Sequence, residues 1–471
     1  MEEINYRSAV DQLALINDKS ISCVELLNAH IDQLNRINPE VNAIVTLCLD
    51  SALKEAKNAD KKIFNGEVPR VLEGLPVAIK DLHMTKGLIS TEGSRIYKDR
   101  IPDHDSLIVS RLKEAGAIVI GKSNTPEFGA GSQTFNDVFG PTLNPYDRTK
   151  TCGGSSGGSA VALACRLVAI ASGSDLGGSL RNPAAWNNVV GLRPTLGAVP
   201  PRESNVPWNT LSTDGPMGKT VEDVFLQMKV ISGSDKLTPI TIPESFKQDL
   251  QKPLAGSLKG LKIAWGGRLN NRPIDTEVFD ITENGVKKFI DIGCDVSYDF
   301  PNLDDSDQVF QTYRAYKFAI DHINHVTDFP DLVKETVKWN TQKGLEMHLI
   351  DLARAEVLRK SIWRNMVDFF DRYDYFALPV TSVSPFSIDQ EYPLEVNGIE
   401  LDTYIDWMWP CYTISVTGMP AISIPCGFTS NNLPVGIQLV GPSNSDIGLL
   451  QLAYGYQEAT EYWKTTPDMV N

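Results

Sequence analysis

Apolar positions recur at helical spacing near the start of the chain. Leu26, Leu27, Ile31 and Leu34 share one face, and Ser22 with Glu25 makes an S-x-x-E capping box ahead of them. Pro39 is expected to close that helix. Further on the apolar runs shorten. Glu73 to Lys80 (EGLPVAIK) suits a buried strand ending at Lys80, Ser106 to Ala115 is helical in period, and Ala117 to Gly121 (AIVIG) follows Gly116 as a second strand. Ala160 to Ala171 divides into a helix and a strand. Alternating helices and strands with glycine at the joins indicate an α/β protein.

From about 225 to 400 the pattern is less regular and richer in charge. Leu261 to Trp265 reads as a strand, Val286 to Ile292 as a helix before Gly293, and Leu345 to Phe370 as one long amphipathic helix. Near the end, Pro420 to Pro425 (PAISIP) and Leu433 to Val440 (LPVGIQLV) read as two adjacent strands joined by a polar turn. No repeat, low-complexity tract or separating linker interrupts the chain, so one elaborated domain is expected although 471 residues exceed the usual size of a single core.

Composition narrows the class. With 42% hydrophobic and 22% charged residues the chain is ordinary for a globular protein and can enclose an ionisable group. A net charge of −15 argues against nucleic acid or anionic membrane as a partner, because neutralising phosphate needs clustered Lys and Arg. The seven cysteines are scattered, with no C-x-x-C pair, which fits a reducing compartment. Met1-Glu2-Glu3-Ile4-Asn5 has neither a basic n-region nor an apolar h-region, and no apolar run approaches the ~20 residues that span a bilayer. A cytoplasmic location is expected.

Glycine is concentrated where core packing does not ask for it. Gly153-Gly154-Ser155-Ser156-Gly157-Gly158-Ser159 is followed by Ser172-Gly173-Ser174-Asp175-Leu176-Gly177-Gly178-Ser179. Such loops can aim several N–H groups into one small space. A serine there is a candidate nucleophile, given a base within reach, and the N–H groups of Leu176, Gly177, Gly178 and Ser179 could form an oxyanion hole. None of the six histidines lies in or right beside these loops, although a distant one could fold in. Lysine is the alternative base, provided burial keeps it neutral. Lys80 ends the apolar run Pro76-Val77-Ala78-Ile79, and Asp81 beside it must then point elsewhere.

These segments resemble the amidase signature family. The matching residues are Gly74-Leu75-Pro76-Val77-Ala78-Ile79-Lys80-Asp81, the GGSSGGS run at 153 to 159, and Asp175-Leu176-Gly177-Gly178-Ser179-Leu180-Arg181. Pro183-Ala184, Val190-Gly191-Leu192-Arg193-Pro194-Thr195, Gly418-Met419-Pro420-Ala421 and Gly436-Ile437-Gln438 match as well. The resemblance implies a central mixed, twisted β-sheet covered by helices on both faces. It implies N-terminal helices over 1–60, a catalytic core over about 65–225 and 405–460, and a variable substrate-side region over about 225–405. It further implies Lys80 as base, Ser155 as a bridging serine after a cis peptide bond, and Ser179 as nucleophile, with no cofactor and no metal. Ser156, Asp175 and Arg181 are then supporting residues, and Gly129 and Ser132 are candidates for substrate contact. The departures are Leu176, where the family often has Thr, and Trp186-Asn187, where Phe and Cys or Gly are usual.

The implied reaction is hydrolysis of a small-molecule amide through an acyl-enzyme, with esters or carbamates as side substrates. The exposed faces of the N-terminal helices could support a homodimer. A glutaminase-type subunit of a transfer RNA-dependent amidotransferase is the alternative within the family. Two readings come from outside it. Gly153-x-Ser155-x-Gly157 satisfies the nucleophile elbow of an α/β-hydrolase esterase, but Tyr146 to Thr151 (YDRTKT) is polar where that elbow needs a strand. A phosphate-cradling binding protein would need G-x-x-x-x-G-K-[ST], which is missing. His322 and His325, at i,i+3 spacing, lack an evident third metal ligand.

Overall fold

Eleven short segments hydrogen-bond into a single sheet in the computed structural model, which describes residues 4–201 and 204–470. Met1, Glu2 and Glu3 lie outside the described residues. The strands of the first half are β1 (Ile44–Leu47), β2 (Pro76–Lys80), β3 (Ile118–Ser123), β4 (Ile170–Asp175), β5 (Val190–Arg193) and β6 (Thr213–Gly218). Those of the second half are β7 (Lys262–Trp265), β8 (Asp295–Tyr298), β9 (Tyr375–Pro379), β12 (Ala421–Phe428) and β13 (Pro434–Val440), and β10 (Glu395–Val396) with β11 (Ile399–Glu400) forms a separate hairpin. The order across the sheet is β1-β3-β2-β4-β6-β5-β12-β13-β9-β7-β8. It is a mixed sheet. β2 runs parallel to β3 and β4, and β7 parallel to β8 and β9, while the central pairs from β4·β6 to β13·β9 are antiparallel.

Helices flank this sheet, and the hydrophobic side chains gather in two large clusters. One joins the N-terminal helices to the first strands through Leu26, Leu34, Val77 and Ile170. The other packs Trp186, Phe310, Trp407 and Tyr412 beside the variable region. All five residues of β2 are buried, as expected of a parallel strand covered on both faces.

Two expected elements differ in detail. The first long helix spans Cys23–Val41 and runs through Pro39, ending at Asn42 with φ 52°. A proline in the last turn keeps a helical φ, and the left-handed asparagine supplies the stop. Leu345 to Phe370 is not one helix. Glu335–Leu345 ends there and Leu349–Phe370 begins after a break, because the His348 N–H donates to the Asp351 carboxylate at 3.0 Å and starts a new helix.

Candidate active site

β2 and β4 are neighbours in parallel register, with Ala78 opposite Ala171, so their C-terminal ends reach the same edge of the sheet. Lys80 ends one and Ser172-Gly173-Ser174-Asp175 ends the other. Alternation along a strand puts Ser172 and Ser174 on one face. The Lys80 backbone N–H donates to Ser172 Oγ at 3.0 Å, and Lys80 Nζ lies 3.0 Å from Ser174 Oγ. The same nitrogen lies 2.8 Å from Ser155 Oγ and 2.8 Å from Ser156 Oγ. Lys80 is fully buried, and burial lowers its pKa to about 7 against the opposing pull of the Asp214 and Asp175 carboxylates. A neutral amine with three hydroxyls around it can both accept and donate a proton.

Asp81 does point elsewhere. Its carboxylate accepts from Thr91 N–H at 3.1 Å and Thr91 Oγ1–H at 2.6 Å, and Lys122 Nζ lies 3.6 Å away. Lys122 donates to Thr85 Oγ1, Ser90 Oγ and the His83 carbonyl, which holds the turn after Lys80 in place. His83 bridges Ser172 Oγ and Asp214, at 3.1 Å each.

The peptide Gly154–Ser155 is cis. The Ser156 N–H donates to the Ser179 carbonyl at 3.2 Å, drawing the two glycine loops together. Ser155 and the half-buried Ser179 line one cavity of about 350 Å³. Asp175, fully buried, organises the second loop. It accepts from Gly178 N–H at 2.8 Å, Leu180 N–H at 3.2 Å, Arg181 Nη2 at 2.9 Å and Arg193 Nη1 at 3.2 Å. Burial alone would raise its pKa, but the two guanidiniums hold it well below the usual carboxylate range. Arg181 continues to Ser415 Oγ at 2.8 Å and the Cys411 carbonyl at 3.0 Å, anchoring the loop to the C-terminal segment. Gly178 has φ +124°, and a Cβ there would lie 2.6 Å from Cys411 Cβ.

The lesser site residues divide. Gly129 lines the cavity, and a Cβ on it would approach Ser155 Oγ at 3.4 Å. Ser132 does not line it. Its buried hydroxyl donates to the Gly154 carbonyl and accepts from Asn182 Nδ2 at 3.1 Å, so it props the Ser155 loop. Gly178, one of four candidate oxyanion donors, already gives its N–H to Asp175. Among the described residues no group of three or more His, Cys, Asp or Glu could hold a metal ion. His322 and His325 instead sit against the ring of Phe128 at centroid distances of 4.7 and 4.8 Å, on the cavity wall. Sequence reasoning assigns no role to Ser174, Arg193, His83 or Asp214, all of which the fold brings to the site. The Ser-Gly-Ser alternation after a strand pattern is the signal that could have found Ser174.

The sequence model of the amidase family matches residues 25–450. This chain belongs to the amidase signature family. A glutamyl-tRNA(Gln) amidotransferase subunit of Clostridium acetobutylicum is 35% identical over 462 residues, covering 92% of this chain and 95% of that protein. The acylamidase of Rhodococcus erythropolis is 29% identical, covering 98% and 97%. A bacterial aryl acylamidase of known structure superimposes with a TM-score of 0.91 at 25% identity, covering 98% of each chain. As an amidase signature protein, the chain is an amide-hydrolysing enzyme.

Proposed function

We propose that the protein hydrolyses a carboxylic amide through an acyl-enzyme on Ser179, with Lys80 and Ser155 as the proton relay. The observation that carries this reading is the buried Lys80 Nζ, 2.8 Å from the hydroxyl of Ser155, on a cavity that Ser179 shares. Neutral Nζ takes the Ser155 proton while Ser155 Oγ takes that of Ser179, whose Oγ attacks the carbonyl carbon. The oxyanion is met by the loop N–H groups that Asp175 does not take, those of Leu176, Gly177 and Ser179. The proton returns through Ser155 to the leaving nitrogen, the C–N bond breaks, and water driven by the same relay frees the acid. Ser156 and Ser174 hold Nζ in line, and Asp175 with Arg181 and Arg193 holds the loop. The relay belongs to one undivided unit, since strands before 225 and after 255 share a single sheet. Seven free cysteines suit a reducing compartment, which supports a cytoplasmic location. Among the described residues no helix is long and apolar enough to cross a membrane.

The test is covalent labelling with a fluorophosphonate, the modified peptide read by mass spectrometry. Label on Ser179 that slows sharply in Lys80→Ala supports the relay; label on Ser155 supports an elbow esterase instead. A second reading, a glutaminase-type component passing ammonia to a transfer RNA-linked substrate, is favoured by the 35% identity to the amidotransferase subunit. The close superposition on the aryl acylamidase favours a stand-alone enzyme. Turnover of aryl amides without partners, against ammonia release from glutamine, separates the two.

A further inference from the structure

The helix Ser306–Asp328 forms one wall of the cavity that holds Ser155 and Ser179. Most charged groups on that cavity have internal partners. Asp175 is held by Arg181 and Arg193, Glu92 by Arg100 at 2.8 Å, Asp321 by Lys317, and Asp214 by His83. Arg314 is different. It is only 4% exposed, it lines the cavity, and among the described residues it forms no ion pair with a carboxylate. Its guanidinium donates to the Tyr404 hydroxyl and lies 4.4 Å from the centre of the Phe318 ring, while its Nε has no hydrogen-bond partner. A buried cation left without a counter-ion is costly unless an anion completes it.

Two walls place Arg314 on the same cavity as Ser155 and Ser179. Phe310, one helical turn earlier, packs over the nucleophile loop so closely that a Cβ on Gly177 would meet its ring at 2.6 Å. Four residues of helix advance ~6 Å. From the other side, a Cβ on Gly129 would lie 3.4 Å from Ser155 Oγ, and a Cβ on Gly131, two residues on, would lie 3.8 Å from the ring of Tyr404. Tyr404 is the residue that holds Arg314. Resting on the amide-hydrolase reading of this cavity, the geometry points to Arg314 as a specificity-determining residue that binds a carboxylate carried on the substrate a few bonds from the scissile carbonyl. Its planar fork matches a carboxylate in two parallel hydrogen bonds, and the rings of Phe318 and Tyr404 pack beside it with their centres 4.4 and 5.5 Å from the guanidinium carbon.

The experiment compares acid and neutral amides in two series. Glutaryl 4-nitroanilide against pentanoyl 4-nitroanilide places the charge on the acyl side; 4-acetamidobenzoate against acetanilide places it on the amine side. In one series the wild-type protein is expected to favour the acid at least tenfold in kcat/KM, mainly through KM. Arg314→Gln should bring that ratio to about one, and Arg314→Lys should keep part of it. Turnover of neutral amides with no acid preference in either series overturns the inference and leaves the hydrolase reading standing, as does a preference that survives Arg314→Gln. Calorimetric titration of glutarate into wild type and Arg314→Gln reads the same site without turnover. Glutarate binding lost in the variant, with no amide hydrolysed, would sink the hydrolase reading and keep the carboxylate site. No glutarate binding to the wild type would sink the carboxylate site.

Discussion

Lys80 and Asp81 are joined by one peptide bond, yet their side chains serve separate networks. The Lys80 amine meets three serine hydroxyls, whereas the Asp81 carboxylate is held by Thr91 and faces the buried Lys122 at 3.6 Å. This separation permits a neutral lysine beside an aspartate in sequence, and it assigns Asp81 a structural role. Asp81→Asn should therefore destabilise the protein by about 3 kcal/mol, the scale for breaking a buried pair. The pH midpoint of activity should hardly move. Chemical denaturation and a pH–rate profile on the same variant check both halves; a midpoint displaced by a full unit would place Asp81 in the relay.

Activity should depend on the loss of the Lys80 proton. With the pKa lowered to about 7, kcat/KM is expected to be half-maximal near pH 7 and to rise to a plateau on the alkaline side. The carboxylate of Asp214 favours the charged lysine, so Asp214→Asn should lower that pKa further. The sign is definite: the rising limb moves toward acid, and the variant retains a larger share of its maximal rate at pH 6 than the wild type does. A limb that moves toward alkali would contradict the electrostatic assignment.

The leaving group distinguishes the relay from simple nucleophilicity. An amine must be protonated to depart, whereas an alkoxide or phenoxide leaves more readily. Ser155→Ala cuts the path between Lys80 and Ser179, and general acid–base contributions are typically worth about 10²- to 10⁴-fold. Amide turnover should fall within that range, while hydrolysis of the matched aryl ester falls by at least tenfold less. Parallel steady-state measurements on a paired anilide and phenyl ester read the difference. Equal losses on both would mean that Ser155 acts only on the attack step.

The residues of the proposed relay stand out in sequence, where the family resemblance gives them their roles. Lys80 ends an apolar run, and the glycines around Ser155 and Ser179 stand out against any core pattern. Other parts depend on distant chain. β6 reads TDGPMG, which holds a glycine and a proline and looks like a turn; it is a strand because β4 and β5 pair with it on both sides. Arg314 looks like any polar position of an amphipathic helix until the fold buries it against Tyr404 and Phe318. The helix break at 346–348 rests on one cap contact from Asp351, which a helical period cannot reveal. The apolar run Ala117 to Gly121 stops short of Lys122, although the strand continues to Ser123 and buries that lysine.

Asp175 offers the sharpest test of how the nucleophile loop is held. Its two oxygens collect two backbone N–H groups and two guanidiniums, all fully buried, and the loop from Leu176 to Ser179 hangs from them. Asp175→Asn keeps the shape but removes the charge and replaces one acceptor by a donor facing Arg181 and Arg193. Leaving two buried guanidiniums without their counter-ion should destabilise by roughly 3–5 kcal/mol. The loop should also lose its register, because the Gly178 N–H loses its charged acceptor and becomes available where it competes with the oxyanion donors. The expected result is a variant that still folds at low temperature but labels with fluorophosphonate at least tenfold more slowly at Ser179. Asp175 makes no hydrogen bond to Lys80, yet its charge raises the lysine pKa, so the activity that remains should have its midpoint shifted toward acid. Slow labelling with an unshifted midpoint would confine Asp175 to the loop; normal labelling at normal stability would refute the anchoring role outright.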